Sequence, residues 1–272
     1  MKILTKRPFW RRVARALGSR LFNWAENNGD PRITNNGELW LLRELLARHV
    51  ALAQRRPFVV FDAGANVGNY TRLILQEARR AGCAVEVHAF EPAPHNIELL
   101  RQKFAGEPAV RVVGAALAAR AGEASLYAGK SGSSHASLVQ RGILKGNVTD
   151  VVTVPLIRLA DYVEMSGVAH IDLLKLDIEG AEMDALHGFD EKLHPSFVDV
   201  IQFEYGGTTL DAGVTLKALH RLLVLQGYRF AKLFPRAVEV RDYDEWMENY
   251  SFSNYLALSP QCIQSRGDIL FR

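Results

Sequence analysis

Four carboxylates stand where strand-like runs end. Asp62 follows Phe58-Val59-Val60-Phe61, Glu91 follows Val85–Phe90, Asp177 follows the strand-like stretch 171–176, and Glu204 follows 198–203. In an open parallel sheet the ligand crevice lies at the carboxyl ends of the strands, so all four acids are predicted to face one crevice. Acids gathered this way repel and raise one another's pKa. They need a cationic ligand, a metal ion, a proton, or a hydroxyl that donates to them. Glu179 adds a fifth acid just beyond Asp177. Lys175, two residues before Asp177 on the same side of the strand, can pair with one of the acids or contact substrate oxygens.

The elements that must position these groups alternate. Phe58–Phe61 leads into Asp62-Ala63-Gly64-Ala65-Asn66-Val67-Gly68-Asn69-Tyr70, and helix-favouring sequence follows with Leu73, Ile74 and Ala78 suitably spaced. This strand, glycine turn and helix open a nucleotide-binding unit. The glycines let backbone approach a ligand, and the helix N-terminus offers unpaired N–H groups. A dinucleotide fingerprint needs G-x-G-x-x-G, whereas Asn66 and Asn69 stand at its second and third glycines. Asp62 disfavours pyrophosphate and suits an ammonium, held directly or through water. S-adenosylmethionine carries an ammonium, plus a carboxylate for the helix N-terminus. Glu91-Pro92 ends the second strand, where a carboxylate takes both ribose hydroxyls of an adenosine. Asp62, Gly64, Asn66, Gly68, Glu91 and Pro92 therefore form the predicted cofactor-binding set. A helix at 94–104 and a strand at 110–113 continue the alternation, so the class is α/β and doubly wound.

The segments Val60–Tyr70, His88-Ala89-Phe90-Glu91-Pro92, Leu173–Glu182 and Val200–Tyr205 occur in the order found in class I S-adenosylmethionine-dependent methyltransferases, and the chain resembles the FkbM family in particular. The resemblance covers about residues 57–258. It implies a Rossmann-like fold with a mostly parallel seven-stranded sheet flanked by helices. It also implies methyl transfer from S-adenosylmethionine, usually onto an oxygen of a sugar or natural product, and a serine-rich flap at Lys130–Leu138.

Two chemistries fit the acids. In one, Asp177 or Glu179 is the general base that takes the acceptor's proton as its oxygen attacks the sulfonium methyl. In the other, Asp177 and Glu204 hold a magnesium-like divalent cation that acidifies the hydroxyl; the metal-free scheme is favoured. His135 in the flap is an alternative base, because imidazole titrates near neutrality. His88, inside a strand, reads as a packed core residue, and Glu182, in the first turn of a helix, as structural. Thr208–Gly213 is predicted to touch the acceptor, and Tyr243, Trp246 and Tyr250 are sugar-stacking candidates. Gly129-Lys130-Ser131 lacks the earlier glycine of a phosphate loop, since residue 124 is Ala124. A dinucleotide oxidoreductase and a non-catalytic module that keeps the crevice are the rival readings.

The 272 residues, 48% hydrophobic and 23% charged, suit one large domain with an appendage. The predicted division is a helical extension over 1–56 and the methyltransferase domain over 57–272. Residues 1–20 hold Lys2, Lys6, Arg7, Arg11, Arg12, Arg15 and Arg20 and no acid, whereas the remainder balances 26 basic residues (33 less these seven) against 30 acidic ones. That distribution argues against a general nucleic-acid surface. Phe9–Trp24 reads as an imperfectly amphipathic helix that docks on its own domain, with peripheral membrane contact through residues 1–24 as the alternative. Only Cys83 and Cys262 occur, which points to a reducing cytoplasm, and no apolar run reaches membrane-spanning length.

Overall fold

The structure is a computed structural model that describes residues 9–128, 138 and 150–264. Strand β1 (Phe58–Ala63) is buried at every position, as its unbroken apolar run requires of a strand covered on both faces. It pairs in parallel with β2 (Val85–Phe90), which pairs with β3 (Val110–Val113). On its other side lies β7 (Ile171–Leu176), followed by β8 (Val198–Tyr205), again in parallel. The chain thus runs outward from β1 in both directions, and the order reverses between β1 and β7, where an open sheet leaves its crevice.

Beyond β8 the sheet turns antiparallel. β11 (Ser253–Leu258) inserts between β8 and β9 (Arg229–Phe234), antiparallel to both, and β10 (Ala237–Val240) closes the edge. The order is β10-β9-β11-β8-β7-β1-β2-β3, eight strands. The seven expected strands are present, and the β9–β10 hairpin contributes one more. Strands β4 (Ala116–Leu117), β5 (Gly122–Ala128) and β6 (Asp150–Ile157) form a separate three-stranded sheet in the order β4-β6-β5.

Alternation along the strands feeds two cores. Val59, Phe61, Leu174 and Ile201 face one way, with α5 (Leu159–Ser166), α6 (Glu182–His187) and α8 (Leu216–Leu225) packed over them. Phe58, Val60, Leu173 and Val200 face the other way, toward α2 (Glu38–Ala51) and α3 (Asn69–Ala81). Helix α2 supplies Leu41, Leu42, Leu45 and Leu46 to that second core. Helix α4 (Pro94–Lys103) follows β2, α7 (Gly207–Asp211) follows β8, and α9 (Pro260–Gln264) follows β11.

Helix α1 (Phe9–Ala25) departs from the docking expectation. It contains no buried residue, and Phe9, Trp10, Leu17, Leu21 and Trp24 are exposed. It touches the domain through Phe22, whose ring lies edge-on to Trp246 at 5.9 Å between centroids. No described helix is long and apolar enough to cross a membrane.

Candidate active site

Gly64 adopts φ +84°, and a β-carbon there would lie 1.8 Å from the Asp177 carbonyl oxygen. Only glycine lets the end of β1 pass so close to the end of β7. Asn66 follows in the left-handed region at φ 50°. Its N–H donates to Glu91 Oε2 at 2.9 Å, while Ala93 N–H donates to Glu91 Oε1 at 2.9 Å. The Asn96 amide links both partners, at 3.4 Å from Glu91 Oε1 and 3.3 Å from Asn66 Oδ1. Burial pushes the Glu91 carboxyl up, and these donors pull it back toward ionisation. Glu91 is thus fixed in place, with acceptor capacity left on Oε2 for a ligand.

These groups line a cavity of about 460 Å³, within the usual size of small-molecule sites. Phe90, Ala115, Ala116, Leu117 and Leu126 give it an apolar side. Asp177, Ile178, Glu179, Glu204, Tyr205 and Thr208 line its acid-rich end, and Pro31 and Phe252 complete the wall. Glu179 sits at φ 54° and Gly180 at φ 102°. That turn is held from beneath by Glu182, whose Oε1 accepts the N–H groups of Ile178 at 3.3 Å and Gly180 at 3.2 Å.

Behind the acid-rich end lies a buried polar row. The strand register sets Asp62 beside Lys175, Lys175 beside Gln202, and Asn254 beside Glu204. Lys175 Nζ lies 2.7 Å from Asp177 Oδ2 and 5.0 Å above the Tyr70 ring. Burial alone would lower the pKa of this lysine, but Asp177, Glu38, Asp62 and Glu204 together hold it well above its ordinary value. Asp62 accepts the Thr71 hydroxyl at 2.6 Å on Oδ2, and its buried Oδ1 has no partner. Burial raises the Asp62 pKa, with Lys175 opposing. Glu204 is raised well above its usual range by burial and by Asp177, again against Lys175. Glu38 enters this row from α2, accepting the amides of Asn36 at 2.6 Å and Gln202 at 3.0 Å.

Of the residues singled out from sequence, Gly64, Asn66, Glu91, Pro92, Asp177, Glu179 and Glu204 line one cavity. Asp62, Gly68 and Lys175 stand outside that lining. Asp62 points toward α3 rather than into the crevice, and a β-carbon on Gly68 would meet the Phe104 ring at 2.6 Å and Leu100 at 2.7 Å. Gly68 thus serves the packing of α3 on α4. His135 and all of the flap but Leu138 lie outside the described residues, whereas Leu138 lines the cavity. His88 is buried, 2.6 Å from the Tyr162 hydroxyl. Tyr243, Trp246 and Tyr250 do not line the cavity; Tyr250 instead stacks on Tyr205.

The donor set does not fit the divalent cation considered for Asp177 and Glu204. Asp177 already carries the Lys175 ammonium, which would repel a second cation at that oxygen. The set does fit S-adenosylmethionine. Glu91 would hold the ribose hydroxyls, the Phe90–Leu117 side would take the base, and the surplus of carboxylates over one lysine would suit a ligand of net positive charge. The sequence patterns did not single out Asn96, Phe252 and Glu38. Asn96, in the first turn after Glu91-Pro92, carried the only local signal.

The topology, the glycine turn and the ribose-type acid together define a Rossmann-like methyltransferase. The description "Methyltransferase FkbM domain" matches residues 62–230, and the chain belongs to that family. The 2-O-methyltransferase NoeI of Sinorhizobium fredii (strain NBRC 101917 / NGR234) is 26% identical over 202 residues, spanning 70% of this chain and 80% of that protein. The 31-O-demethyl-FK506 methyltransferase FkbM of Streptomyces tacrolimicus is 29% identical over 169 residues, spanning 53% of this chain and 64% of that one. The solved structure of a methyltransferase FkbM from Methylobacillus flagellatus KT superposes with a TM-score of 0.45 at 13% identity, over 74% of this chain and 43% of that chain.

Proposed function

We propose that the protein is an O-methyltransferase that modifies a hydroxyl of a sugar, glycan or glycosylated metabolite, with S-adenosylmethionine as donor. The carrying observation is the meeting, in one cavity, of the prefixed Glu91 and the acid rim Asp177, Glu179 and Glu204. The two relatives named above bear O-methyl transfer in their names, which supports oxygen as the acceptor atom. Bound S-adenosylmethionine supplies an electrophilic methyl group on a sulfonium that departs as a neutral thioether.

The chain's own residues do the rest. Glu91 orients the donor, and the apolar side excludes water from it. Lys175 fixes Asp177 in an ion pair, so the Glu179 carboxylate, presented by its left-handed turn, takes the acceptor's proton as the new C–O bond forms. Glu204, raised by burial, donates to or accepts from the acceptor hydroxyls according to its protonation. We place this activity in a reducing compartment such as the cytoplasm, where Cys83 and Cys262 stay free thiols.

The test is methyl transfer from labelled S-adenosylmethionine to a panel of hydroxylated acceptors, with products located by mass spectrometry. O-methylated products are expected. Products methylated only on nitrogen or carbon would overturn the assignment, as would a thermal shift with NAD but with neither S-adenosylmethionine nor S-adenosylhomocysteine.

A further inference from the structure

We propose that α1 is an in-plane interfacial helix that seats the protein on an anionic lipid bilayer. The helix leaves Trp24 80%, Trp10 76%, Phe9 68%, Leu21 65% and Leu17 60% exposed. At 100° per residue these five side chains fall on one side, with Val13 among them. Arg11, Arg12 and Arg15 fall on the other side, Arg20 falls within the apolar arc between Phe9 and Val13, and all four are exposed. A large apolar stripe held in water is unfavourable unless something covers it.

Charge decides what covers it. No acid precedes Glu26 in the sequence, while the chain beyond residue 20 has more acids than bases. A surface carrying fixed negative charge and an apolar interior satisfies the arginines and the stripe together. The two tryptophans, near opposite ends of α1 and on the same side, are the residue type that prefers the bilayer–water boundary. A second copy of this chain, packed stripe to stripe, would cover the apolar side, but its own α1 carries no acid to offer the arginines.

The attachment of α1 leaves that face outward. The contact with the domain uses Phe22, on the side opposite the stripe. Just beyond the helix, Glu26 receives Arg241 at 2.8 Å, the Asn27 amide donates to the carbonyls of Asn36 and Leu233 at 2.9 and 3.0 Å, and Asn28 accepts Lys232 at 2.8 Å. Gly29 N–H then donates to the Phe252 carbonyl at 2.8 Å, and both Pro31 and Phe252 belong to the cavity wall. The welded segment therefore runs directly from the proposed lipid-facing helix to the active-site cavity.

The experiment is vesicle flotation of the full chain with phosphatidylcholine alone and with phosphatidylcholine–phosphatidylglycerol, read together with tryptophan emission. Binding to the anionic vesicles with a blue shift is expected, weakening as salt is raised. Replacing Arg11, Arg12 and Arg15 with Gln is expected to lower partitioning on the order of a hundredfold. A W10S/L17S/W24S variant, altered only at exposed positions, is expected to keep the native thermal transition and lose both binding and blue shift. Failure of the unaltered chain to float with anionic vesicles would overturn the proposal, as would binding that the triple variant retains. Sedimentation showing a dimer that the triple variant abolishes, without vesicle binding, would give the face to a second copy instead.

Discussion

Lys175 and Asp177, at the end of β7 and in the turn beyond it, form a 2.7 Å ion pair that is closed at one end and open at the other: the lysine side chain is 5% exposed and the aspartate 33%. The lysine is shared. Its ammonium also serves Asp62, Glu38 and Glu204, so one buried cation holds the acid-rich end of the cavity together.

Lys175→Met is therefore expected to destabilise the protein by about 3–5 kcal/mol, because the carboxylates around it lose their common counter-charge. Urea denaturation monitored by circular dichroism measures this. The deficit is expected to shrink as pH falls, since protonated acids no longer repel. A loss below about 1 kcal/mol would show that the acids are neutral without the lysine.

Glu91→Ala is expected to weaken cofactor binding by about 2–3 kcal/mol through loss of charge-assisted hydrogen bonds. The same change strands the Asn66 and Ala93 N–H groups that now donate to this carboxylate. Calorimetry with S-adenosylhomocysteine reads the effect, and unchanged affinity would remove Glu91 from the cofactor site. Glu91→Gln retains acceptor capacity and is expected to lose less.

Glu179→Gln separates proton transfer from binding. A fall in kcat on the order of 10²–10³-fold is expected, with cofactor affinity retained. If kcat persists, the proton leaves by another carboxylate of the rim, and Asp177→Asn and Glu204→Gln become the discriminating variants.

Much of this arrangement was legible in the sequence because strands buried on both faces write themselves as unbroken apolar runs. β1 does so up to Asp62; β2, β7 and β8 do so with a few polar interruptions, and each delivers its acid near the crevice. Which way each acid points was also written there, in the period of two. Asp62 shares a face with Phe58 and Val60, and Lys175 with Leu173, so both turn toward α2 and α3 instead of the cavity. Glu38 was illegible for a different reason: its partners Gln202 and Asn254 are more than 160 residues away, and only the tertiary fold of α2 brings it to them. The three-stranded sheet was half visible, since β5 and β6 carry strand-forming sequence while the two-residue β4 carries almost none. Helix α1 was legible as amphipathic, but periodicity alone does not say what its apolar side meets.

Glu182 offers a test of the turn that carries Glu179. The side chain is 1% exposed, and burial pushes its pKa from 4.5 up to about 7 against the pull of the backbone N–H groups it accepts. Because the folded-state pKa lies above the unfolded one, the stability linked to this proton is fully present below the ordinary value and is lost as pH rises through about 7. A shift of that size corresponds to about 3 kcal/mol. Glu182→Gln keeps an oxygen for the Ile178 and Gly180 N–H groups but does not titrate, so its stability relative to the unaltered protein is expected to improve between about pH 5 and pH 8 by up to that amount. Glu182→Ala loses the acceptor as well, and is expected to be less stable than Glu182→Gln at both ends while sharing its pH independence. Urea midpoints for the three proteins at the two pH values supply the comparison. Parallel pH profiles for the unaltered protein and Glu182→Gln would mean that this carboxyl titrates alike in the folded and unfolded chain, and that the turn rests on its hydrogen bonds alone.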